Sequence, residues 1–190
     1  ASSMRAYSGL DRLLHRLALG SRPVAELSFD IDQRLADVDA DAAATGRHVF
    51  VSGLARAGTT ALMRRLHASG EFRSLTYRDM PFVLAPNFWQ RLGGGARRDL
   101  APVERAHGDG IIVDADSPES LDEVFWRIFA GPEYIGASSL TPHVPGSDLI
   151  EQFRSYVSAI MASGVPPVDR YLSKNNNNIL RLDAIRQAFP

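Results

Sequence analysis

Residues 48–62 read HVFVSGLARAGTTAL, and this stretch decides the fold. His48 to Ser52 is a short β-rich run that leads directly into Gly53. Gly53 and Gly58 then bound a loop with the spacing G-x-x-x-x-G. From Thr59 to Ser69 the pattern predicts a helix, with Leu62 and Leu66 on one face and Gly70 in the C-terminal cap position. A strand, a glycine-bounded loop and a helix in that order form a cradle for an anion, because loop amides and the helix N-terminus point the same way.

Outward from this unit, strands alternate with helices, as in an α/β fold with a parallel sheet. Upstream, residues 10–19 have apolar positions at helical spacing, and a second helix is expected at about 24–38, after Pro23. Residues 1–46 are read as a helical N-terminal extension and 47–190 as the α/β domain. Downstream, GIIV at 110–113 reads as a fully buried strand. Ser117-Pro118-Glu119 has the chemistry of a helix start, with Leu121, Val124, Phe125, Ile128 and Phe129 falling on one face behind it. A proline-marked linker of 17 residues follows. Leu149, Phe153, Tyr156, Val157, Ile160 and Met161 mark another helix, residues 168–173 a strand, and residues 178–188 a last helix. About three strands are visible, few for such a sheet, and the chain stops where another is expected. The expectation is a three-layer, P-loop-like parallel sheet flanked by helices, cut short at its C-terminus.

Composition narrows the chemistry. The chain has 190 residues, 45% hydrophobic, and no cysteine, which excludes disulfide scaffolds, thiolate metal sites and cysteine nucleophiles. The formal net charge of -1 argues against nucleic-acid binding, yet the charge is uneven. Residues 56–98 hold eight arginines and two acids, whereas 114–123 hold five acids and no base. Of the 21 basic residues only Lys174 is lysine. No apolar run approaches the ~20 residues that span a bilayer, and no secretory leader is visible, so a cytoplasmic location is expected. His15, His48, His67 and His143 show no metal-ligand spacing, and no metal site is expected.

The glycine loop departs from the nucleotide-hydrolysing pattern. That pattern needs lysine after the second glycine to reach the terminal phosphates. Thr59 stands there instead, and the positive charge has moved into the loop, to Arg56. In this respect residues 49–62 resemble the 5′-phosphosulfate-binding loop of sulfotransferases that use 3′-phosphoadenosine-5′-phosphosulfate (PAPS). A second match is Tyr171-Leu-Ser-Lys174-Asn175, followed by a helix ending in Phe189-Pro190. It resembles the family's strand, lysine, Asn/Asp, helix and Phe-Pro segment. Together the matches cover roughly residues 47–190.

The resemblance implies that Gly53, Arg56, Ala57, Gly58, Thr59 and Thr60 hold the phosphosulfate of PAPS as co-substrate, without a metal. It implies that Lys174 contacts the bridging oxygen and stabilises the leaving phosphate. A compact ammonium suits that role better than a guanidinium fork. The 3′-phosphate site is expected beyond residue 190. The expected acceptor is a small molecule or a glycan or lipid bearing a hydroxyl or amine.

Acceptor activation needs a base. His107, just before the 110–113 strand, is one candidate, histidine being the side chain whose ordinary pKa lies nearest neutrality. Asp79 follows the loop helix near the position of a catalytic glutamate in some family members, and Glu119 or Glu123 could line an acceptor pocket. The aromatic residues Trp89, Trp126, Phe82, Phe88, Phe125 and Phe129 are expected in the core, and the Asn run at 175–178 in turn and capping roles. The main rival is a P-loop kinase or NTPase, with Asp114 as magnesium ligand after its hydrophobic strand and Thr60 as the metal-binding hydroxyl. A non-catalytic anion-binding module is the third reading.

Overall fold

The computed structural model describes residues 20–36, 38–54, 56–94, 103–104, 112–166 and 168–190. The expected helix at 10–19 and the base candidate His107 lie outside them. The first described helix, α1 (Arg22–Leu35), starts behind Ser21 with Pro23 in its first turn and an Arg22–Glu26 ion pair of 2.7 Å one turn in. It buries Ala25, Ser28, Phe29 and Asp32, a single stripe at helical spacing. Asp32 accepts from the Phe88 backbone N–H at 2.7 Å and from the Asn87 amide at 3.0 Å, which ties α1 to α4 (Pro86–Arg91). Ala25 and Phe29 belong to the main apolar cluster, so residues of the expected extension share a core with the rest of the chain. A short helix, α2 (Ala40–Ala44), packs on α6 (Ser147–Ala162).

The architecture is mixed helix and strand around a two-stranded parallel sheet. Strand β1 (Val49–Val51) pairs with β4 (Leu172–Lys174), with Val49 opposite Leu172 and Val51 opposite Lys174. On the other edge of β4 a parallel bridge joins Arg73 to Tyr171. Alternation along the strands divides their side chains between two clusters. Val49, Val51 and Leu172 join Met63 and Phe72 beneath α3 (Thr59–His67), whereas Phe50 and Tyr171 join the larger cluster with Phe125, Trp126, Phe153 and Tyr156. Trp126 is 1% exposed and Phe125 fully buried, so the expected core role of these two holds.

Several expectations change. On α3 the fully buried residue is Met63, while Leu62 is 52% exposed. One residue is 100° of rotation, enough to move the sheet-facing stripe to Met63 and Leu66. Ile112–Val113 (β3) pairs antiparallel with Val103–Glu104 (β2) in a separate ladder and does not join the parallel sheet. Ser117-Pro118-Glu119 does not open a helix, because its backbone is used for pairing: Pro118 bridges Thr76 and the Glu119 N–H donates to the Leu75 carbonyl. Helix α5 begins later, at Glu123, and runs to Tyr134 through Pro132. The last segment is a 3-10 turn, Asn176–Leu180, followed by α7 (Leu182–Ala188). Among the described residues, no helix is long and apolar enough to cross a membrane.

Candidate functional site

The parallel pair places two features at one edge of the sheet. β1 runs out into Ser52 and the glycine loop, and β4 ends at Lys174 directly across the ladder. Ligands of parallel α/β sheets bind outside the carboxyl ends of the strands, which is this edge.

Glycine suits both ends of the loop, for different reasons. A Cβ on Gly53 would lie 3.2 Å from the Thr59 Cγ2, a tight approach that Thr59 would have to yield to by a few tenths of an ångström. Gly58 has φ 79°, a left-handed conformation open to glycine at no steric cost. Arg56 also has positive φ, 65°, and is the sole non-glycine so placed among the described residues. Its side chain is exposed. At the start of α3 the N-cap residue, Gly58, has no side chain with which to cap the helix, and the first turn carries no acid. The first turn of α3 thus supplies no anion of its own to the positive end of the helix dipole.

Lys174 is 8% exposed, and its Nζ lies 3.3 Å from the Ser120 Oγ. The following turn is tied to the loop. The Asn175 N–H donates to the Val51 carbonyl at 3.0 Å. The Ser52 hydroxyl donates to the Asn176 carbonyl at 3.2 Å, and the Thr59 hydroxyl to the Asn176 side-chain oxygen at 3.3 Å. The expected capping role of the Asn run holds for Asn175, whose side chain accepts from the Asn177 N–H. Sequence reasoning missed the other half of its role, the clasp on the loop. A polar residue beside a hydroxyl 117 positions away leaves no periodic signal.

The acids beneath this corner have distinct positions. Glu123 accepts from Asn175 at 2.7 Å, Asn177 at 2.9 Å and the Tyr134 hydroxyl at 2.7 Å. Asp122 is buried against Ser173 and Tyr171, and burial raises its pKa above the usual carboxylate value. Glu119 accepts from the Tyr77 hydroxyl at 3.3 Å. Asp79 lies elsewhere. Its carboxylate caps its own turn through the Thr76 N–H at 2.8 Å and pairs with Arg73 at 2.6 Å. It lines a cleft of about 560 Å³ with His67, Arg78, Gln90 and Ser163, and none of the described residues of the glycine loop borders that cleft. Asp114 accepts from the Ser117 hydroxyl and the Asp116 N–H within its own turn. Among the described residues, no group of three or more His, Asp or Glu side chains is placed to hold a metal ion.

Comparisons of this chain with protein-family models, with curated proteins and with solved structures find no match.

Proposed function

We propose that this chain binds PAPS through its glycine loop and transfers the sulfonate group to a hydroxyl or amine acceptor. One observation carries the reading: Lys174 stands across the parallel ladder from Val51, two residues before the strand reaches Gly53, and the loop ends in Gly58, an N-cap with no side chain. The division of the sheet's side chains between two clusters suits the three-layer arrangement expected for such an enzyme. Loop amides and the exposed Arg56 would hold the phosphosulfate. The acceptor oxygen or nitrogen attacks sulfur, the bond from sulfur to the bridging oxygen breaks, and its electron pair leaves with the phosphate. Lys174 donates to that oxygen as charge builds there, and the acceptor's proton passes to a base. Glu119 directly precedes Ser120, whose hydroxyl lies 3.3 Å from the lysine Nζ, and is the candidate base on this reading. The kinase alternative needs a carboxylate beside the loop, and Asp114 follows a strand of the antiparallel ladder instead.

Thermal protection and label transfer test the reading. Adenosine 3′,5′-bisphosphate without magnesium should raise the melting temperature, and labelled sulfonate should pass from PAPS to an acceptor panel of phenols, glycans and lipids. Protection by ATP with magnesium, but not by the bisphosphate, would favour the kinase instead.

A further inference from the structure

The loop is clasped by the Asn turn, and the turn is in turn held by one carboxylate. Glu123 opens α5, where the helix dipole favours an acid. Its Oε1 accepts from the Tyr134 hydroxyl and the Asn177 amide, and its Oε2 from the Asn175 amide and, at 3.4 Å, from Arg181. The Arg181 side chain is wholly buried, its guanidinium lying 4.6 Å from the Trp126 ring centroid and 4.7 Å from that of Tyr134. Carboxylate and guanidinium therefore sit on a rigid aromatic base supplied by α5.

Contacts run outward from this base without a break. Asn175 spends its amide on Glu123 and its side-chain oxygen on the Asn177 N–H. Asn176, fixed between them, presents its carbonyl to Ser52 and its side-chain oxygen to Thr59. Ser52 and Thr59 flank the glycine loop at its two ends. From this geometry we infer that Glu123 is a positioning residue: it holds the Asn175–Asn177 turn and, through Asn176, sets the shape of the anion loop. The inference rests on the anion-loop reading for its purpose, though its geometry does not need it. Glu123 itself touches no substrate in this scheme. Its carboxylate offers acceptors only, two donors to each oxygen, and an amide in its place would turn its NH2 group toward two of the four.

Glu123→Gln tests this, alone and in a Ser52→Ala/Asn176→Ala background that removes both side-chain links to the loop. Two quantities are read: amide hydrogen exchange at Gly53, Gly58 and Thr59, and the calorimetric Kd for adenosine 3′,5′-bisphosphate. With the links intact, Glu123→Gln should speed loop exchange and raise Kd about tenfold. In the background variant it should add little to either. Equal effects in both backgrounds, or a lowered melting temperature with unchanged loop exchange, would overturn the inference. If the unaltered chain does not bind the bisphosphate, the PAPS reading fails while the exchange measurement still decides the role of Glu123. Should Glu123→Gln not fold, Asn177→Ala removes one donor and keeps the carboxylate, and the same two outcomes apply.

Discussion

Lys174 faces Val51 in the parallel ladder, and the next backbone N–H, that of Asn175, closes on the Val51 carbonyl at 3.0 Å. The ammonium-bearing residue and the strand that feeds the glycine loop are thereby fixed to one another through backbone, not through a flexible side-chain contact. This relationship separates the roles proposed for the two cations of the site.

Arg56, exposed in the loop, should contribute to ground-state binding of the donor, and Lys174 to the transition state alone. Arg56→Ala should therefore weaken bisphosphate affinity, whereas Lys174→Met should leave affinity nearly unchanged and cut sulfonate transfer about 100- to 1000-fold. Calorimetry and a single-turnover transfer assay read the two separately. Equal transfer rates in both variants and the unaltered chain would remove the assignment.

The loop also carries a backbone prediction independent of chemistry. A Cβ on Gly58 meets nothing within 4 Å, so Gly58→Ala is opposed only by its φ of 79°. The left-handed conformation costs an ordinary residue about 1–2 kcal/mol, and urea unfolding should show a loss of that size. Arg56 already bears such a cost at φ 65°. Arg56→Gly should thus hold or slightly raise stability while lowering anion affinity. A clear loss of stability in that variant would mean that the arginine side chain supports the fold.

These two glycines and the helix behind them were legible in sequence because backbone requirements leave a local signature. Period and capping chemistry found α1 and α6 for the same reason. The 110–113 segment misled, since a short apolar run has no periodicity to tell a parallel strand from an antiparallel ribbon. Ser117-Pro118-Glu119 misled because the same residues that start helices also suit a strand-like bridge beside Thr76. The clasp of Asn176 on Ser52 and Thr59, and the burial of Arg181 under two rings, are tertiary facts with no local trace.

Arg181 supplies the clearest stability test. The wholly buried Arg181 guanidinium lies over the Trp126 and Tyr134 rings with Glu123 3.4 Å away, so its removal opens a cavity against two rings and takes a cation from a carboxylate that keeps Asn175, Asn177 and Tyr134 as donors. Truncation of one partner of a buried ion pair costs about 3–5 kcal/mol when the other charge is left uncompensated, and Arg181→Ala, which leaves Glu123 three donors, should lose about 3 kcal/mol, the low end of that range, in denaturant unfolding. Arg181→Lys should recover little of it, because an ammonium has no flat face to lie between two rings. A lysine variant as stable as the unaltered chain would show that charge alone matters there.

His48 gives the fold a pH dependence whose sign follows from its hydrogen bonds. Its Nδ1 accepts from the Tyr171 N–H at 2.9 Å and its Nε2 lies 2.7 Å from the Ala43 carbonyl, so the ring is neutral with its proton on Nε2. A second proton would have to sit on Nδ1, facing the Tyr171 N–H. Burial is the main cause that pushes the ring's pKa below the usual histidine value, with Arg170 acting in the same direction. The unfolded chain therefore takes up a proton near pH 6.5 that the folded chain refuses. The stability His48 contributes is complete above about pH 6.5 and declines as pH falls below it, with a slope of at most about 1.4 kcal/mol per pH unit from one group. His67 and His143 are shifted in the same direction by burial, so the comparison must be made against a variant. His48→Gln, which keeps a donor and an acceptor but does not titrate, should show a shallower fall in stability between pH 7 and pH 5. Urea unfolding across that range, with an NMR titration of the His48 ring, measures both sides of the linkage. Parallel stability curves together with a ring that titrates at or above pH 6.5 would refute the neutral, clamped imidazole.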